Sequence, residues 1–355
     1  MNYLLNTRTN WDEPPRARHQ LASSLSKKNK VIFVAINKLG FPKIKISNPQ
    51  KNIILITPLW WIPGRINMRL PIINELYQRW LFKRLVSKYK KYNVVNFDLT
   101  ANIKKYFNYY MFFCVDDFIS IKRSKSIFVS IYWKYKQKIN IKNALFCTGV
   151  SNYLHKELLK YNVNSYLLLS GSVNIDGVKE FKECNNTVNI VYVGWLSKIN
   201  IDWIKYLSKN KFYKIYLVGP KPKNFPEFIN ENVFFTGEKK GSDLNRIMLN
   251  SNVCIAPYIK DNDTEKVYTM TNKFWLYLSY GKPIVTCEIK NLINLPTDFI
   301  YQSKNSKEFI NNVKKSYKDD TYECFKRRID YSKNNSWDIR SSDLIDLFDK
   351  HKTNL

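Results

Sequence analysis

Short apolar segments rich in Val, Ile, Phe and Tyr alternate with amphipathic segments along almost the whole 355-residue chain. Segments of the first kind are typical of buried strands, and segments of the second kind are typical of helices that cover a sheet. The alternation therefore predicts an α/β fold with parallel sheets and crossover helices. Because single domains rarely grow beyond ~250–300 residues, a chain of this length is expected to form two such sheets.

The strand candidates of the first half are the apolar segments 31–36, 53–57, 94–97, 111–115, 144–148 and 166–169. The helix candidates between them are 14–28, 66–90 and 151–161. In the second half, the strand candidates are 189–193, 213–218, 233–236, 253–257 and 283–287. The helix candidates there are 198–209, 242–250, 271–280 and 307–318.

A polar segment without periodicity, 174–187, separates the two halves and is predicted to be a linker. We expect one Rossmann-like domain over 1–173 and a second over 188–330. The tail 331–355 is too short for a domain and is expected to form a helix that packs toward the first one. Open parallel sheets bind ligands beyond the carboxyl ends of their strands, so two doubly wound domains facing each other would place the site in the cleft between them.

Lysine and arginine number 58 against 29 acidic residues, a formal charge of +29. The basic residues are spread over several clusters, at 27–30, 88–91, 122–125, 134–142 and 239–240. No helix-turn-helix, zinc-finger or RNA-binding aromatic motif accompanies them, so nucleic acid is not the expected partner. Anionic lipid headgroups attract such a surface, which favours an anionic membrane as partner. Compositional drift without any anionic partner is the alternative.

No segment has the ~20 consecutive apolar residues that a spanning helix requires, and Pro58 and Pro63 interrupt the most apolar stretch. Polar residues follow the short apolar start, which is not the pattern of a secretory signal. The six cysteines are scattered without metal-ligand spacing, and the chain has three histidines, so neither disulfides nor a metal site are expected. These features predict a cytoplasmic protein, peripheral on the inner face of the plasma membrane.

Three glycines in the second half, Gly194, Gly219 and Gly237, each come directly after a strand candidate. A glycine there lets the backbone approach a ligand, and a helix amino terminus that follows favours an anion. A strand–glycine turn taken alone is equally compatible with an ordinary turn. Their ordered recurrence is more specific, and it continues into the segments Ala-Pro-Tyr258 and Lys273-Phe-Trp-Leu-Tyr277-Leu-Ser-Tyr-Gly-Lys-Pro-Ile-Val.

This ordered series resembles the donor-binding domain of GT-B glycosyltransferases of the glycosyl-transferases-group-one type. The first half is similar to the acceptor domains of that group in the segments Trp11-Asp-Glu-Pro-Pro-Arg16-Ala-Arg18-His19, Phe112-Phe-Cys-Val-Asp116-Asp117-Phe, Cys147-Thr-Gly-Val-Ser and Leu169-Ser-Gly-Ser-Val. The resemblance covers nearly the whole chain. It is nearest to the bacterial exopolysaccharide subgroup with teichuronic-acid and xanthan-type glucuronosyl transferases.

The resemblance implies a metal-independent glycosyltransferase of bacterial surface-polysaccharide synthesis, such as capsule or O-antigen. Its donor would be a nucleotide-sugar, with a UDP-sugar favoured, and its acceptor a lipid-linked or growing polysaccharide. No cofactor is implied beyond this co-substrate. Two alternatives stay open: a non-catalytic GT-B relative that binds polyanions or membranes, and a sugar-nucleotide epimerase.

The residues predicted to bind the donor are Gly194, Trp195, Lys198, Gly219, Gly237, Tyr258, Lys273 and Tyr277. The resemblance implies that Lys273 contacts the nucleotide phosphates, while a solvated lysine at a helix start is the alternative. The chain departs from the family at Leu276, because the broad group has there a glutamate that binds the donor ribose. This departure is what keeps the non-catalytic alternative open.

Asp116 and Asp117 end an otherwise apolar strand candidate, and one of them is expected to be the general base that deprotonates the acceptor hydroxyl. The other would cap the next helix, and capping by both is the alternative. A basic cluster of Arg16, Arg18 and His19 is a candidate for acceptor phosphate or for a donor sugar carboxylate. Trp60 and Trp61 are predicted in a loop, where they could contact the acceptor or an interface; core packing is the alternative.

Overall fold

The computed structural model describes residues 1–116, 126–175, 178, 180–181, 187–226, 230–259, 270–290 and 292–353. The chain divides into two compact units. The first consists of Met1–Ser170 together with Trp337–Leu355, and the second is Gly171–Ser336.

The strands of the first unit are β1 (Asn2–Asn6), β2 (Lys30–Val34), β3 (Lys38–Leu39), β4 (Lys43–Gln50), β5 (Ile53–Trp60), β6 (Asn93–Asn96), β7 (Tyr110–Cys114), β8 (Cys147–Gly149) and β9 (Ser165–Leu167). Its helices are α1 (Ala17–Ser26), α2 (Gly64–Asn67), α3 (Pro71–Tyr89), α4 (Ile127–Asn143), α5 (Asn152–Leu159) and, from the end of the chain, α11 (Trp337–Lys352). The described strands form one sheet in the order β3-β5-β2-β1-β6-β7-β8-β9, parallel except for β4, which pairs antiparallel with β5.

The central strand β1 was missed by the sequence analysis, which expected the strand 31–36 to be the first. Its sequence Asn-Tyr-Leu-Leu-Asn has polar ends, yet it lies between β2 and β6. The Asn6 amide donates to the Asn96 side chain at 2.9 Å, so the buried polar group is satisfied by a residue 90 positions away. A local pattern cannot reveal that compensation.

Two helical predictions also change. The candidate 66–90 is divided into α2 and α3, because Pro71 occupies the first position of the second helix. The segment Ile127–Asn143, noted in the sequence only for its lysines, forms α4. None of the described helices combines the length and the apolar character needed to cross a bilayer.

Helix α11 belongs to the first unit. The Ser24 hydroxyl on α1 donates to the Asp338 carboxylate at 2.7 Å, and Lys27 pairs with the same carboxylate at 2.6 Å. Near the end of α11, Phe348 packs edge-on against Tyr3 and Phe146. These contacts join the end of the chain to the first sheet.

The second unit contains the strands β10 (Val188–Val193), β11 (Tyr213–Val218), β12 (Val233–Gly237), β13 (Val253–Ala256), β14 (Ile284–Cys287) and β15 (Ile300–Ser303). Its helices are α6 (Ile201–Ser208), α7 (Gly241–Asn250), α8 (Asn272–Ser279), α9 (Ser306–Lys318) and α10 (Tyr322–Lys333), with a 3-10 turn at Leu196–Lys198. The strand order is β12-β11-β10-β13-β14-β15, and all pairs are parallel.

This order is that of a doubly wound Rossmann sheet. The five strands predicted for this half are present within two residues of the expected ends, whereas β15 and α10 were not predicted. Helix α10 is held by the buried Arg328, whose guanidinium donates to the Gly281 carbonyl at 2.8 Å and pairs with Asp320. The α/β prediction is confirmed in both units.

Candidate functional site

The strand order of the second sheet reverses between β10 and β13, which are direct neighbours. In open parallel sheets a ligand binds beyond the carboxyl ends of the strands at this point, because the loops after the two strands run to opposite faces. The residues concerned follow Val193 and Ala256. The first turn of α8 lies against the same edge.

Tyr277 on α8 joins the two strands at this point. Its hydroxyl accepts the Val193 N–H at 2.8 Å and donates to the Ile255 carbonyl at 3.4 Å. The ring is fully buried, and burial raises the pKa of the hydroxyl well above its ordinary value. Tyr277, predicted to bind the donor, therefore holds the ends of β10 and β13 together through a neutral hydroxyl.

Two of the predicted glycines form the floor of the site. Gly219 has φ +145°, and a Cβ on it would lie 1.9 Å from the Gly194 carbonyl oxygen. Gly194 has φ +140°, and a Cβ there would lie 2.8 Å from Lys273 Nζ. Only glycine allows the ends of β10 and β11 to come this close to each other and to the lysine. Gly237 joins them, because its carbonyl accepts the Gly219 N–H at 2.9 Å.

Lys273, in the first turn of α8, reaches over Gly194. Its ammonium donates to the Tyr192 hydroxyl at 2.8 Å. It lies 4.0 Å from the centroid of the Tyr192 ring and 4.9 Å from that of Tyr258. Among the described residues, no carboxylate forms an ion pair with it. These contacts differ from those of a solvated lysine at a helix start, which is the alternative that the sequence leaves open.

The surroundings of Lys273 disfavour its positive charge. Burial, followed by repulsion from Lys198, lowers the pKa of the ammonium well below its ordinary value of 10.5. The amino-terminal end of a helix carries partial positive charge, so a cation in the first turn of α8 is unfavourable there too. A cluster of this kind gains most from an anion, and phosphate oxygens are the acceptors that such sites prefer.

Three other predicted donor residues lie at the same edge of the sheet. Tyr258 is buried, and its hydroxyl lies 3.4 Å from that of Thr271, which precedes α8. Lys198 is exposed at the end of the 3-10 turn, and Trp195 is 64 % exposed directly after Gly194. The structure thus brings all eight predicted donor residues to one edge of the second sheet.

Leu276, where the family has a glutamate, is partly buried and packs against the apolar cluster under α8. It offers no polar group. Any contact to a ribose must come from other residues.

In the first unit, the strand order reverses between β1 and β6, and an ion pair spans this point. Arg8 Nε donates to Asp98 Oδ2 at 2.6 Å, and the two side chains are 8 % and 1 % exposed. Asp98 Oδ1 also accepts the Thr100 N–H at 2.9 Å. Arg8 has φ +52°, an unusual value for a residue other than glycine. Neither residue is marked by a sequence pattern, because they are 90 positions apart and nothing local links them.

Arg18 lies at the same edge. Its Nη1 donates to the Thr9 hydroxyl at 2.8 Å, and its guanidinium lies over the Phe97 ring at 5.4 Å. Burial, with repulsion from Arg16, lowers the pKa of the Arg18 guanidinium to about 10. Asp116 acts in the opposite direction. The Nε of Arg18 is buried and has no hydrogen-bond partner among the described residues.

The other two residues of the predicted basic cluster, His19 and Arg16, form hydrogen bonds and an ion pair within the chain. His19 Nδ1 accepts the Arg16 N–H at 3.1 Å, and Nε2 is 2.9 Å from the Asn10 carbonyl oxygen, to which it donates. Both ring nitrogens therefore hydrogen-bond to backbone at the start of α1, where His19 caps the helix, and acceptor binding by His19 stays a prediction. The Arg16 guanidinium is exposed and pairs with Glu13 at 2.9 Å.

The two adjacent tryptophans differ in burial. Trp60 is the last residue of β5, not a loop residue, and it is buried among Tyr77 and Trp80. Trp61 is 60 % exposed and packs against Trp60 at 4.7 Å between ring centroids. Core packing, the alternative for this pair, holds for Trp60, whereas Trp61 is free to contact a ligand or a surface.

Asp116 follows β7 and is partly buried at the carboxyl edge of the first sheet, within electrostatic range of Arg18. Asp117 lies outside the described residues. Within the described part of the chain, no group of histidines, cysteines or carboxylates could hold a metal ion.

No family model matches the chain, and no curated protein matches it in sequence. Its similarity is to solved structures. Sucrose-phosphate synthase from Thermosynechococcus elongatus superposes with a TM-score of 0.73 at 12 % identity, covering 100 % of this chain and 99 % of that one. The E. coli trehalose-6-phosphate structure bound with UDP-2-fluoro glucose has a TM-score of 0.71 at 8 % identity, covering 98 % and 99 %.

The lipopolysaccharide outer core galactosyltransferase WaaB, in its apo form, has a TM-score of 0.59 at 10 % identity and covers 99 % of both chains. Similarity that extends over whole chains of this kind shows that the chain has the GT-B fold. The predicted fold class is therefore confirmed. At these identities the similarity establishes the fold and not an activity.

Proposed function

We propose that this protein is a glycosyltransferase that uses a nucleotide-diphosphate sugar as donor. The observation that carries the proposal is the Lys273 ammonium. Its partly buried side chain extends over Gly194, with no carboxylate partner among the described residues, at the point where the strand order reverses. A diphosphate supplies the negative charge that this site lacks.

Nucleotide binding is the use that Rossmann-type sheets make of this position. In the proposed complex, Lys273 and the exposed Lys198 contact the diphosphate, and the backbone around Gly194 approaches it closely. Trp195 offers an exposed ring for stacking. A UDP-sugar is favoured, in keeping with the UDP-2-fluoro glucose bound in the similar E. coli structure.

In the proposed reaction, the bond between the anomeric carbon and the diphosphate breaks, and a bond to the acceptor oxygen forms. Lys273 stabilises the negative charge that develops on the departing diphosphate, which is the role that metal ions have in other transferases. Asp116 or Asp117 accepts the proton of the acceptor hydroxyl. Arg18, whose buried Nε has no hydrogen-bond partner in the described part of the chain, binds an anionic group of the acceptor, either a phosphate or a sugar carboxylate.

For the acceptor, we propose a lipid-linked or growing polysaccharide of the bacterial cell surface, modified at the inner face of the plasma membrane. The motif resemblance and the similarity to a lipopolysaccharide galactosyltransferase support this class. The excess of basic residues supports an anionic surface as the place of reaction.

Binding of unlabelled UDP, GDP and CMP, measured by isothermal titration calorimetry and by thermal shift, tests the donor site. We expect UDP to bind and to raise the melting temperature, because ligand binding to the native state stabilises it. Absence of binding for all three nucleotides would overturn the proposal and favour the non-catalytic alternative. Release of UDP from UDP-sugars, on addition of polysaccharide or lipid-linked acceptors, then tests transfer.

Asp116→Asn and Asp117→Asn separate the base from the cap. Replacement of the base should lower turnover by at least ~10²-fold and leave UDP binding unchanged. Replacement of the cap should cost about 0.5–2 kcal/mol of stability and little activity. Two equal and mild effects on turnover would exclude both residues as the base.

A further inference from the structure

The first unit exposes a group of large apolar side chains on two neighbouring helices, named here the α3–α4 patch. Its members are Ile72 (79 % exposed), Leu76 (56 %), Ile127 (69 %), Phe128 (81 %), Ile131 (58 %) and Tyr135 (63 %). Single exposed apolar residues are common on protein surfaces. Six of them on two neighbouring helices are more than single exposed residues, and large exposed apolar surfaces mark interaction sites.

Contacts through Glu75 hold the two helices side by side. The Glu75 carboxylate on α3 pairs with Lys136 at 2.6 Å and accepts the Tyr132 hydroxyl at 3.3 Å, both on α4. Each of these contacts is next to a patch residue in sequence. Leu76 follows Glu75 directly, Ile131 precedes Tyr132, and Tyr135 precedes Lys136. Trp133 Nε1 donates to the Met68 carbonyl at 2.9 Å, which fixes the amino-terminal half of α4 against the segment between α2 and α3.

The charge around the patch is almost entirely positive. Helices α3 and α4 contain eight lysines and arginines and one carboxylate, Glu75, which the buried Lys136 neutralises. Arg79 and Lys83 follow Ile72 and Leu76 on the same side of α3 at helical spacing. Lys134 and Lys138 are exposed beside Tyr135 on α4. Exposed cations thus accompany the exposed apolar side chains on both helices.

We propose that the α3–α4 patch is the surface by which this protein docks on an anionic lipid bilayer. Side chains such as Phe128 and Ile131 would enter the boundary between headgroups and acyl chains, while the surrounding lysines and arginines would contact lipid phosphates. The net charge of +29 adds long-range attraction to the same surface. This surface is independent of the nucleotide site, and docking is measured without nucleotide.

A second copy of this chain fits the α3–α4 patch less well than an anionic bilayer does. A twofold dimer through the patch would place the same surface against itself and bring the two sets of cations together. Among the residues of α3 and α4, Glu75 alone could compensate that repulsion, and it is already paired within the chain. An anionic bilayer supplies both an apolar layer and the opposite charge.

Vesicle flotation of the full chain tests the proposal, with vesicles of phosphatidylcholine alone and of phosphatidylcholine mixed with phosphatidylglycerol. We expect binding to the mixed vesicles, weakened in 1 M salt, where the Debye length falls to ~3 Å. The double variant Phe128→Ser/Ile131→Ser should lower the partition coefficient at least ~10-fold, because its apolar side chains no longer enter the bilayer.

Phe41→Ser/Ile46→Ser is the matched control, since these two residues are similarly exposed (77 % and 55 %) in the β3–β4 region of the same unit. It should bind as the wild type does, and both variants should keep the wild-type melting temperature. Failure of the wild type to bind the mixed vesicles would overturn the proposal. Equal vesicle binding by the two double variants would also overturn it. So would self-association of the wild type in sedimentation that only Phe128→Ser/Ile131→Ser abolishes.

Discussion

Lys273 and Tyr192 are 81 residues apart in sequence, and the lysine ammonium donates to the tyrosine hydroxyl at 2.8 Å. The same hydroxyl donates to the Trp195 carbonyl at 3.0 Å, so it links the lysine to the turn that follows β10. This relationship holds the ammonium over Gly194 before any ligand is present. Its position is therefore set in advance for an anion, and less conformational entropy is lost when one binds.

Lys273→Met should raise the Kd for UDP about 10–150-fold, since a charge-assisted hydrogen bond contributes about 1.5–3 kcal/mol. The free energy of unfolding should change little, because the variant removes a partly buried ammonium, which relieves its desolvation, and also removes the hydrogen bond of that ammonium to Tyr192. Titration calorimetry and urea unfolding measure the two quantities. Lys314→Ala, an exposed charge change on α9, is the control and should alter neither. An unchanged Kd in Lys273→Met would remove this residue from the site.

The depressed pKa of Lys273 predicts an alkaline pH dependence. Between the pKa in the folded state and 10.5, the unfolded chain binds the proton and the folded chain does not. Stability therefore rises with pH over this interval relative to Lys273→Met. A bound diphosphate favours the charged form, so UDP affinity should fall over the same interval in the wild type and not in the variant. Parallel pH profiles for the two proteins would contradict this assignment.

Gly219→Ala should destabilise the second unit by about 2 kcal/mol or more. The added Cβ would meet the Gly194 carbonyl at 1.9 Å, and φ +145° is strained for alanine. Gly237→Ala is the comparison, because its φ of +68° is also unfavourable while the space around it is open. Gly237→Ala should lose only about 1 kcal/mol of stability, because the strain is confined to the backbone conformation. Urea unfolding of both variants should show this order, and the reverse order would refute the close approach.

Asp98→Asn should cost about 3–5 kcal/mol, because it leaves the Arg8 guanidinium buried without its carboxylate. Glu157→Gln removes an exposed pair with Lys160 in the same unit and should leave stability close to that of the wild type, because water and salt screen exposed pairs. Chemical unfolding of the two variants compares them directly. If Asp98→Asn were as mild as the control, the ion pair would not support the switch point of the first sheet.

Five strands of the second unit, β10 to β14, were predictable because each carries its own signal, whereas β15 was not predicted. A continuous apolar run that ends on Gly194 or Gly219 is visible in a few residues, and the spacing of Lys273 and Tyr277 on one helix turn follows from helical geometry. The central β1 was not predictable, since its polar Asn6 is compatible with burial only when Asn96 lies opposite. Helix α4 was missed because its lysines were interpreted as a charge cluster.

By itself, the sequence determined the α/β class, the glycine turns after the strands and the set of candidate donor residues, since these depend on residue type and local spacing. The tertiary structure decided which side chains are available. It placed Trp60 in the core, engaged both nitrogens of His19, and paired Arg8 with Asp98 across 90 residues. Burial and partners decide whether a polar group serves the fold or a ligand, and both depend on residues distant in the chain.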